Sequence, residues 1–388
     1  MKIYLTMVNI FLDSKRIKKD DYYISLKGNK VDGIFFLEEV IKKGGKLLYS
    51  DNFKFNYYQN LKENLNKILL EFYNVNFNFK LIGITGTNRK TSTAYLINKA
   101  LNKYGYKSKV ISTIKEENTY YSSLTTPRND DLIRIFKEAE KEKLDYLIME
   151  VSSIGIEEGR ANDITFDYGI LTSLESDHLD YHKDIISYHL SKINWIENCK
   201  EKFIGINKNN NVFLKEILSK FINKEQINEF LLNLPQVPGR EEVVLKNPLI
   251  IIDYAHTSSA VEYLLTKYKN LTKGRLISII GAGGNRDKSK RKNYGDLVYK
   301  YSDISIITSD NPRNENPLDI INEIIEDKDN VYKIVDREES IRFALDLLKE
   351  DDTLLIIGKG NEEYMEIQNN KVPFSDKKII YKYLNIDY

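Results

Sequence analysis

Cysteine is nearly absent. Cys199 is the single one in 388 residues, which excludes an intramolecular disulfide framework and suits a reducing cytosol. Long apolar runs are missing too: nothing approaches the ~20 residues that cross a bilayer as a helix. The opening stretch MKIYLTMVNIFLDSKR is broken by Thr6 and Asn9 and has no small-residue cleavage site after it, so it does not read as a secretory signal. Neither sign of charge is in excess. Lys and Arg number 58 against 57 Asp and Glu, a net charge of +1, which gives no general reason to expect nucleic acid or an anionic membrane as partner. Internal repeats and low-complexity tracts are lacking. What is left is a cytoplasmic enzyme or binding protein.

What is present is a globular composition, 41% hydrophobic and 30% charged, over a length that implies two or three domains. Residues 1–79 read as a small α/β unit. IYLTMVNIFL is strand-like, FFLEEVIKKGG is a helix stopped by Gly44 and Gly45, KLLYS is a strand, and NLKENLNKILLEFYN is an amphipathic helix. Residues 80–235 alternate strands (KLIGIT, SKVISTI, LDYLIMEVS, DYGILTSL) with helices such as DDLIRIFKEAEKEK, the pattern of a parallel sheet covered by helices. Residues 184–198 are expected to be helical, and 200–235 polar and irregular with a helical patch at VFLKEILSKFI. PQVPGR at 235–240 reads as a linker. Residues 236–388 form a second open α/β unit, with strands in NPLIIIDYAH, RLISIIGAGG, ISIITSD and DTLLIIGKG. Their following loops carry Gly, Asp, His and Arg at the carboxyl ends, where ligands bind in such sheets.

The densest chemistry is LIGITGTNRKTST, residues 81–93. A strand enters a turn at Gly86, Thr87 and Asn88, then Lys90 and Thr91 open a helix. Amides at a helix N-terminus bind anions, a Lys reaches the outer phosphates, and a Thr hydroxyl can hold Mg²⁺. The reading is an ATP site, with an unliganded strand–turn–helix as the plain alternative. Glu150 ends a buried strand in MEVSS facing that loop, which suits Mg²⁺; it could equally be a helix-capping carboxylate. SDHLDYH with His189 gathers three of the four histidines, but there is no Cys partner and no zinc spacing. Lys192 alone reads as a solvated charge. In TSDNPR, Pro312 stiffens the loop and Arg313 offers a fork for a carboxylate, against an ordinary type I turn with an exposed Arg.

Taken together, TGTNxKT at 85–91, DSKRIKKDDYYISLKGNKVDGIFF, TTP at 125–127, MEVSSIGIEEGR, FDYGILTSLESDHLDYHKDIISYHLSK, VPGREEVV, DYAHTSSA, GAGGNRDKSKR, TSDNPR, IGKGNEEY and PFSD resemble, in order, the blocks of the Mur ligases. The branch they resemble is MurE, UDP-N-acetylmuramoyl-tripeptide synthetase. The resemblance runs from about residue 10 to the C-terminus. It implies a three-domain α/β architecture: an N-terminal UDP-sugar-binding-like domain (1–79), a shortened central P-loop domain (80–235) and a Rossmann-like C-terminal amino-acid-binding domain (236–388). It implies ATP and Mg²⁺, a UDP-muramoyl-peptide-like acceptor and a diamino acid as ligands. Gly86, Thr87, Asn88, Lys90, Thr91, Arg240 and His256 would meet ATP. Thr91, Glu150, His178 and a carbamylated Lys192 would hold the metal, with Lys90, His178 and Lys192 in the catalytic set. Ser14, Thr125, Thr126, Ser152 and Arg160 would meet the acceptor, and Arg286, Asn311, Arg313, Gly358 and Glu362 a meso-diaminopimelate-like amino acid. His182 and His189 would be structural or solvated.

The chain departs from the pattern at Arg89 (for Gly), Ile154 (for His), Glu158 (for Gln) and Asn361 (for His). The segment between Lys192 and VPGR is also much shorter than the resemblance implies, so a small second sheet of the central domain is expected to be missing. The function expected is acyl-phosphate-forming amide ligation in peptidoglycan precursor synthesis. The alternatives are the same chemistry on another acceptor in a specialised peptide pathway, or a catalytically degenerate nucleotide and amino-acid binder.

Overall fold

The computed structural model describes residues 8–28, 31–51, 61–325, 328–368 and 370–386. A small N-terminal sheet joins β1 (Ile10–Phe11), β2 (Tyr22–Ser25) and β3 (Lys46–Ser50), in that order and parallel. Of the strand expected over IYLTMVNIFL, only Ile10–Phe11 is seen, and residues 1–7 lie outside the described ones. This sheet has a small core of its own, Phe11, Ile17, Tyr23 and Val40, and shares a second with the central domain. Ile10 and Ile24, with Leu65, Ile68 and Leu69 from helix Leu65–Tyr73, pack with Leu132, Phe136 and Ala139 of the helix Asn129–Lys141. Arg16 adds a fork onto Asp131 at 2.8 and 2.9 Å.

The central sheet contains β4 (Lys80–Thr85), β5 (Ser108–Ser112), β6 (Thr119–Tyr121), β7 (Tyr146–Glu150), β8 (Tyr168–Leu171) and β9 (Glu201–Ile204). Its order is β6-β5-β7-β4-β8-β9, all parallel. Its inner strands read as unbroken apolar runs because helices cover both faces. Leu81, Leu147 and Met149 face helices 65–73, 129–141 and 185–197; Ile82, Ile84 and Ile148 face helix 90–103 and two helices beyond β9. The first, Asn210–Leu218, is the helical patch expected over VFLKEILSKFI; the second, Lys224–Leu232, lies in a segment expected to be irregular. Phe213, Leu214, Ile217 and Leu218 of the first, with Ile227 and Phe230 of the second, lie on the sheet. The helix starts are marked locally: Asn209 caps the first, and Asn223 with Gln226 forms a capping box on the second. No strand lies between Ile204 and Glu242, so the central domain has no second sheet there.

The C-terminal sheet holds β10 (Glu242–Lys246), β11 (Leu249–Asp253), β12 (Leu276–Ile280), β13 (Ile304–Ile307), β14 (Tyr332–Lys333) and β15 (Thr353–Ile357). The order is β10-β11-β15-β12-β13-β14, with β10 antiparallel to β11 and the rest parallel. A hairpin of β16 (Tyr364–Ile367) and β17 (Asn370–Pro373) follows.

One buried ion pair sits beneath the carboxyl ends of this sheet. Arg337 and Asp376 have side chains with 0% exposure and meet at 2.8 and 2.9 Å. The same guanidinium donates to the carbonyls of Ser309 and Ile357 at 3.2 and 3.1 Å. It therefore fixes the starts of the two loops that carry Asn311 and Gly358. Asp376→Ala leaves the guanidinium buried without its counter-charge. The expected cost is about 3–5 kcal/mol, read as a lower midpoint in guanidinium chloride unfolding.

Candidate active site

The phosphate loop starts at a position only glycine can fill. Gly86 has φ +139°, and a Cβ there would lie 2.0 Å from Thr172 Oγ1. The loop is then sewn to the segment after β8. Thr87 N–H donates to Ser173 O at 3.0 Å, Asn88 N–H to Ser173 Oγ at 2.9 Å, and the Thr87 hydroxyl to Glu175 O at 3.1 Å. Helix Lys90–Lys103 begins with no side-chain cap, which leaves its first-turn amides for an anion. The Lys90 ammonium folds back onto the carbonyls of Gly86 and Thr87, both at 2.9 Å. Arg89 is in the left-handed region, φ 70°. Its side chain turns away from the loop and reaches the carbonyls of Thr172, Gly205 and Lys208.

Beside the loop, the Thr91 hydroxyl donates to Glu150 Oε2 at 3.0 Å. Burial raises the Glu150 carboxyl above its ordinary range, opposed by Lys90, Arg240 and the Thr91 bond. His178 is half-buried, and burial pushes its pKa down to about 4, so its ring is neutral at pH 7 and its lone pair is free for a metal. Lys192 is 1% exposed, lies over the Tyr188 ring, and its Nζ has no hydrogen-bond partner. Burial, with the nearby charge of Lys90, pushes its pKa down to about 6. A neutral, unpartnered amine is the form that can add CO₂. Among the described residues, no three His, Cys, Asp or Glu side chains gather as a ready metal cage. Thr91 and Glu150 fit Mg²⁺, which takes one or two protein oxygens and completes its shell from phosphates and water.

The C-terminal domain closes the cluster. Arg240 Nη2 donates to Thr91 Oγ1 at 3.5 Å, and its guanidinium lies 4.1 Å over the Tyr254 ring. The Tyr254 hydroxyl is 3.4 Å from Glu362 Oε1. Tyr254 thus bridges the phosphate side and the amino-acid side. Asp177 joins the domains from the other flank. It is 3% exposed, ion-pairs with Lys290, and lies 3.6 Å from His178 Nε2 and 3.7 Å from His256 Nε2. Asn88 reaches the C-terminal domain as well, accepting from the Thr257 hydroxyl at 3.2 Å.

The residues expected at the acceptor fall in two places. Thr126 and Ser152 are 3.1 Å apart through their hydroxyls, Thr126 donates to Glu150 O at 3.1 Å, and Arg160 donates to Thr126 O at 2.7 Å. Thr125 adjoins them. Ser14 stands apart in the N-terminal domain, donating to Glu39 Oε2 at 2.9 Å. Glu158 ion-pairs with Arg160. On the amino-acid side, Asn311 Nδ2 donates to Glu362 Oε2 at 2.9 Å. The fully buried Lys359 donates to both Asn311 Oδ1 (3.1 Å) and Glu362 Oε2 (2.8 Å). Gly358, φ +119°, lets Asp310 approach: a Cβ would be 2.5 Å from Asp310 Oδ2. Arg313 Nε lies 2.8 Å from Glu366 Oε2, and Arg286 is exposed beside it, near Gly283.

Sequence reasoning did not single out Asp177, Tyr254, Lys290, Lys359 or Glu366. Asp177, Tyr254, Lys290 and Lys359 lay inside the quoted blocks SDHLDYH, DYAH, GAGGNRDKSKR and IGKGNEEY. Glu366 carried no signal, since a glutamate in so charged a chain reads as surface.

Family models and curated relatives agree on one family. The Mur ligase middle domain matches residues 84–230, and the Mur ligase, glutamate ligase domain matches residues 239–360. The UDP-N-acetylmuramoyl-L-alanyl-D-glutamate--2,6-diaminopimelate ligase of Clostridium perfringens is 32% identical over 462 residues, covering 97% of this chain and 94% of the relative. The enzyme of that name from Aquifex aeolicus is 34% identical over 451 residues, with coverage of 97% and 94%. Both alignments are longer than the 388 residues of the chain, so these relatives carry residues it lacks. A solved structure of a UDP-N-acetylmuramoyl-L-alanyl-D-glutamate--2,6-diaminopimelate ligase superposes with a TM-score of 0.60 at 21% identity, over 97% of this chain and 94% of that one. The MurF ligase of Thermotoga maritima, in complex with ADP, gives 0.65 at 15% identity, over 91% and 94%.

The Lys192 amine makes stability depend on pH. Its folded pKa of about 6 lies below its ordinary 10.5, so between those values the unfolded chain holds a proton that the folded one lacks, and stability rises with pH across that window. Lys192→Met removes this term. In CO₂-free buffer the variant is expected to melt higher than the parent at pH 7, with the difference shrinking toward pH 10; equal melting at both pH values would show that the amine is not desolvated.

Proposed function

The chain belongs to the Mur ligase family, and from that membership we propose the reaction its site performs. It is an ATP-dependent, ADP-forming ligase of peptidoglycan precursor synthesis, adding a meso-diaminopimelate-like amino acid to the carboxylate of a UDP-muramoyl-peptide. The observation that carries this reading is the continuity of the site. The phosphate loop, Glu150 and the acceptor residues Thr126 and Ser152 adjoin one another, and Arg240 with Tyr254 leads from Thr91 to Glu362 and Asn311. The domain limits we propose are 1–79, 80–235 and 236–388, supported by each sheet's strands falling within one segment. No helix among the described residues is long and apolar enough to cross a membrane. A cytoplasmic monomer working on small molecules is the setting we propose.

Bound Mg-ATP supplies the phosphoryl group that turns the acceptor carboxylate into an acyl phosphate. The protein's work is position and charge. Lys90 exchanges the Gly86 and Thr87 carbonyls for phosphate oxygens, while the first-turn amides of its helix hold the rest of the anion. Thr91 and Glu150 hold the metal, joined by His178 and by Lys192 as its carbamate, which turns a cation into an oxygen ligand. Thr126, Ser152 and Arg160 fix the acceptor end of the site, with Ser14 reserved for the uridine side. Asn311, Arg313, Gly358, Glu362 and Arg286 hold the amino acid so that its neutral amine faces the acyl phosphate; the amide forms and phosphate leaves.

A different acceptor is favoured by one observation. Glu158 already occupies Arg160, so an anionic acceptor must displace it. The direct test incubates the protein with Mg-ATP, UDP-N-acetylmuramoyl-L-alanyl-D-glutamate and meso-diaminopimelate, following phosphate and product mass. One phosphate per amide is expected. Phosphate release with other carboxylates only would establish the alternative acceptor, and a folded protein releasing none with any pair would establish a degenerate binder. Two variants sharpen it. Arg313→Ala should raise KM for the diamino acid about tenfold or more, as loss of a charge-assisted fork does, with kcat little changed. Glu158→Gln should lower KM for the acceptor severalfold.

A further inference from the structure

Arg89 stands in the phosphate loop with a left-handed backbone that favours glycine and penalises a long side chain. Its φ is 70°, and it is the last residue before helix Lys90–Lys103. What offsets that strain is on the far side of the loop. The half-buried guanidinium donates to Gly205 O at 3.2 Å, to Lys208 O at 3.3 Å, and to Thr172 O and Asn210 Oδ1. Thr172 follows β8, and Gly205 follows β9. The segment 205–210 opens the short stretch before β10, which contains two helices and no sheet. No carboxylate ion-pairs with Arg89 within 4.0 Å among the described residues, so its donors are given to backbone and amide oxygens.

We propose that Arg89 is a positioning residue for the nucleotide: its planar fork clamps the phosphate loop to the ends of β8 and β9 and so sets the first-turn amides in place. Lysine cannot replace it, because a single ammonium does not span three carbonyls on two segments. The binding part of this inference rests on the ATP reading above; the structural part does not.

The test compares Arg89→Gly, Arg89→Asn and Arg89→Lys with the parent. Glycine relieves the backbone, asparagine tolerates it but is too short, and lysine keeps the charge without the fork. In the unliganded protein, glycine and asparagine are expected to lower the melting temperature and speed hydrogen exchange at 205–210. Their Kd for Mg-ATP by calorimetry should weaken roughly tenfold, an effect of displaced binding groups. KM for ATP should rise with kcat at saturating ATP held. Millimolar methylguanidinium should restore nucleotide affinity to the glycine variant and not to the lysine one, a readout that general loosening would not give. A glycine variant that melts higher and binds nucleotide as tightly as the parent overturns the proposal. Failure of the parent to bind Mg-ATP would count against the ATP reading instead, and the melting and exchange measurements would still decide the clamp.

Discussion

Asp177 holds the two halves of the site together. Its carboxylate is buried between the central and C-terminal domains, and a buried carboxylate without partners is too costly to keep. Burial pushes its pKa up, but His256 and His178 in their protonated forms, together with Lys290, outweigh that and hold it below the ordinary carboxylate range; at pH 7, where the His178 ring is neutral, the Lys290 ammonium carries the pairing. Two of these three partners come from beyond the linker. With this charge satisfied, helix Ser258–Leu271 begins next to Asn88, and Tyr254 lies between Arg240 and Glu362. The phosphate end and the amine end of the chemistry share a frame because one anion is shared between the domains.

Each sheet places its ligand loops at the carboxyl ends of parallel strands, and the C-terminal domain faces its own set toward the central one. Arg337 and Asp376 stiffen that face from below, since the arginine holds both Ser309 and Ile357. The N-terminal sheet has a different dependence. Besides a small core of its own, it shares one with helix Asn129–Lys141, so the acceptor side is backed by packing across domains as well.

Much of this was legible in the sequence. The strands KLIGIT, LDYLIMEVS and DTLLIIGKG lie where continuous apolar runs placed them, and Thr91 with Glu150, Thr126 with Ser152, and Asn311 with Glu362 are in contact. Side chains whose role depends on a partner distant in sequence were not legible. Arg89 looked like a fault in a glycine loop because its acceptors, Thr172 and Gly205, follow other strands. Glu158 looked like an acid facing an anion, yet it is held by Arg160. The helix Lys224–Leu232 was not legible because its buried stripe is narrow, Ile227 and Phe230, and its cap is an asparagine, which also marks turns. Local pattern gives elements; pairing across the sheet gives charge balance.

Lys90 is already bonded to the carbonyls of its own loop. The loop is therefore not a bare positive hole: its cation is balanced against two carbonyl dipoles. An anion that draws Lys90 away must offer more than the two bonds it replaces, and one that also reaches the first-turn amides of helix Lys90–Lys103 meets that demand more readily than one that does not.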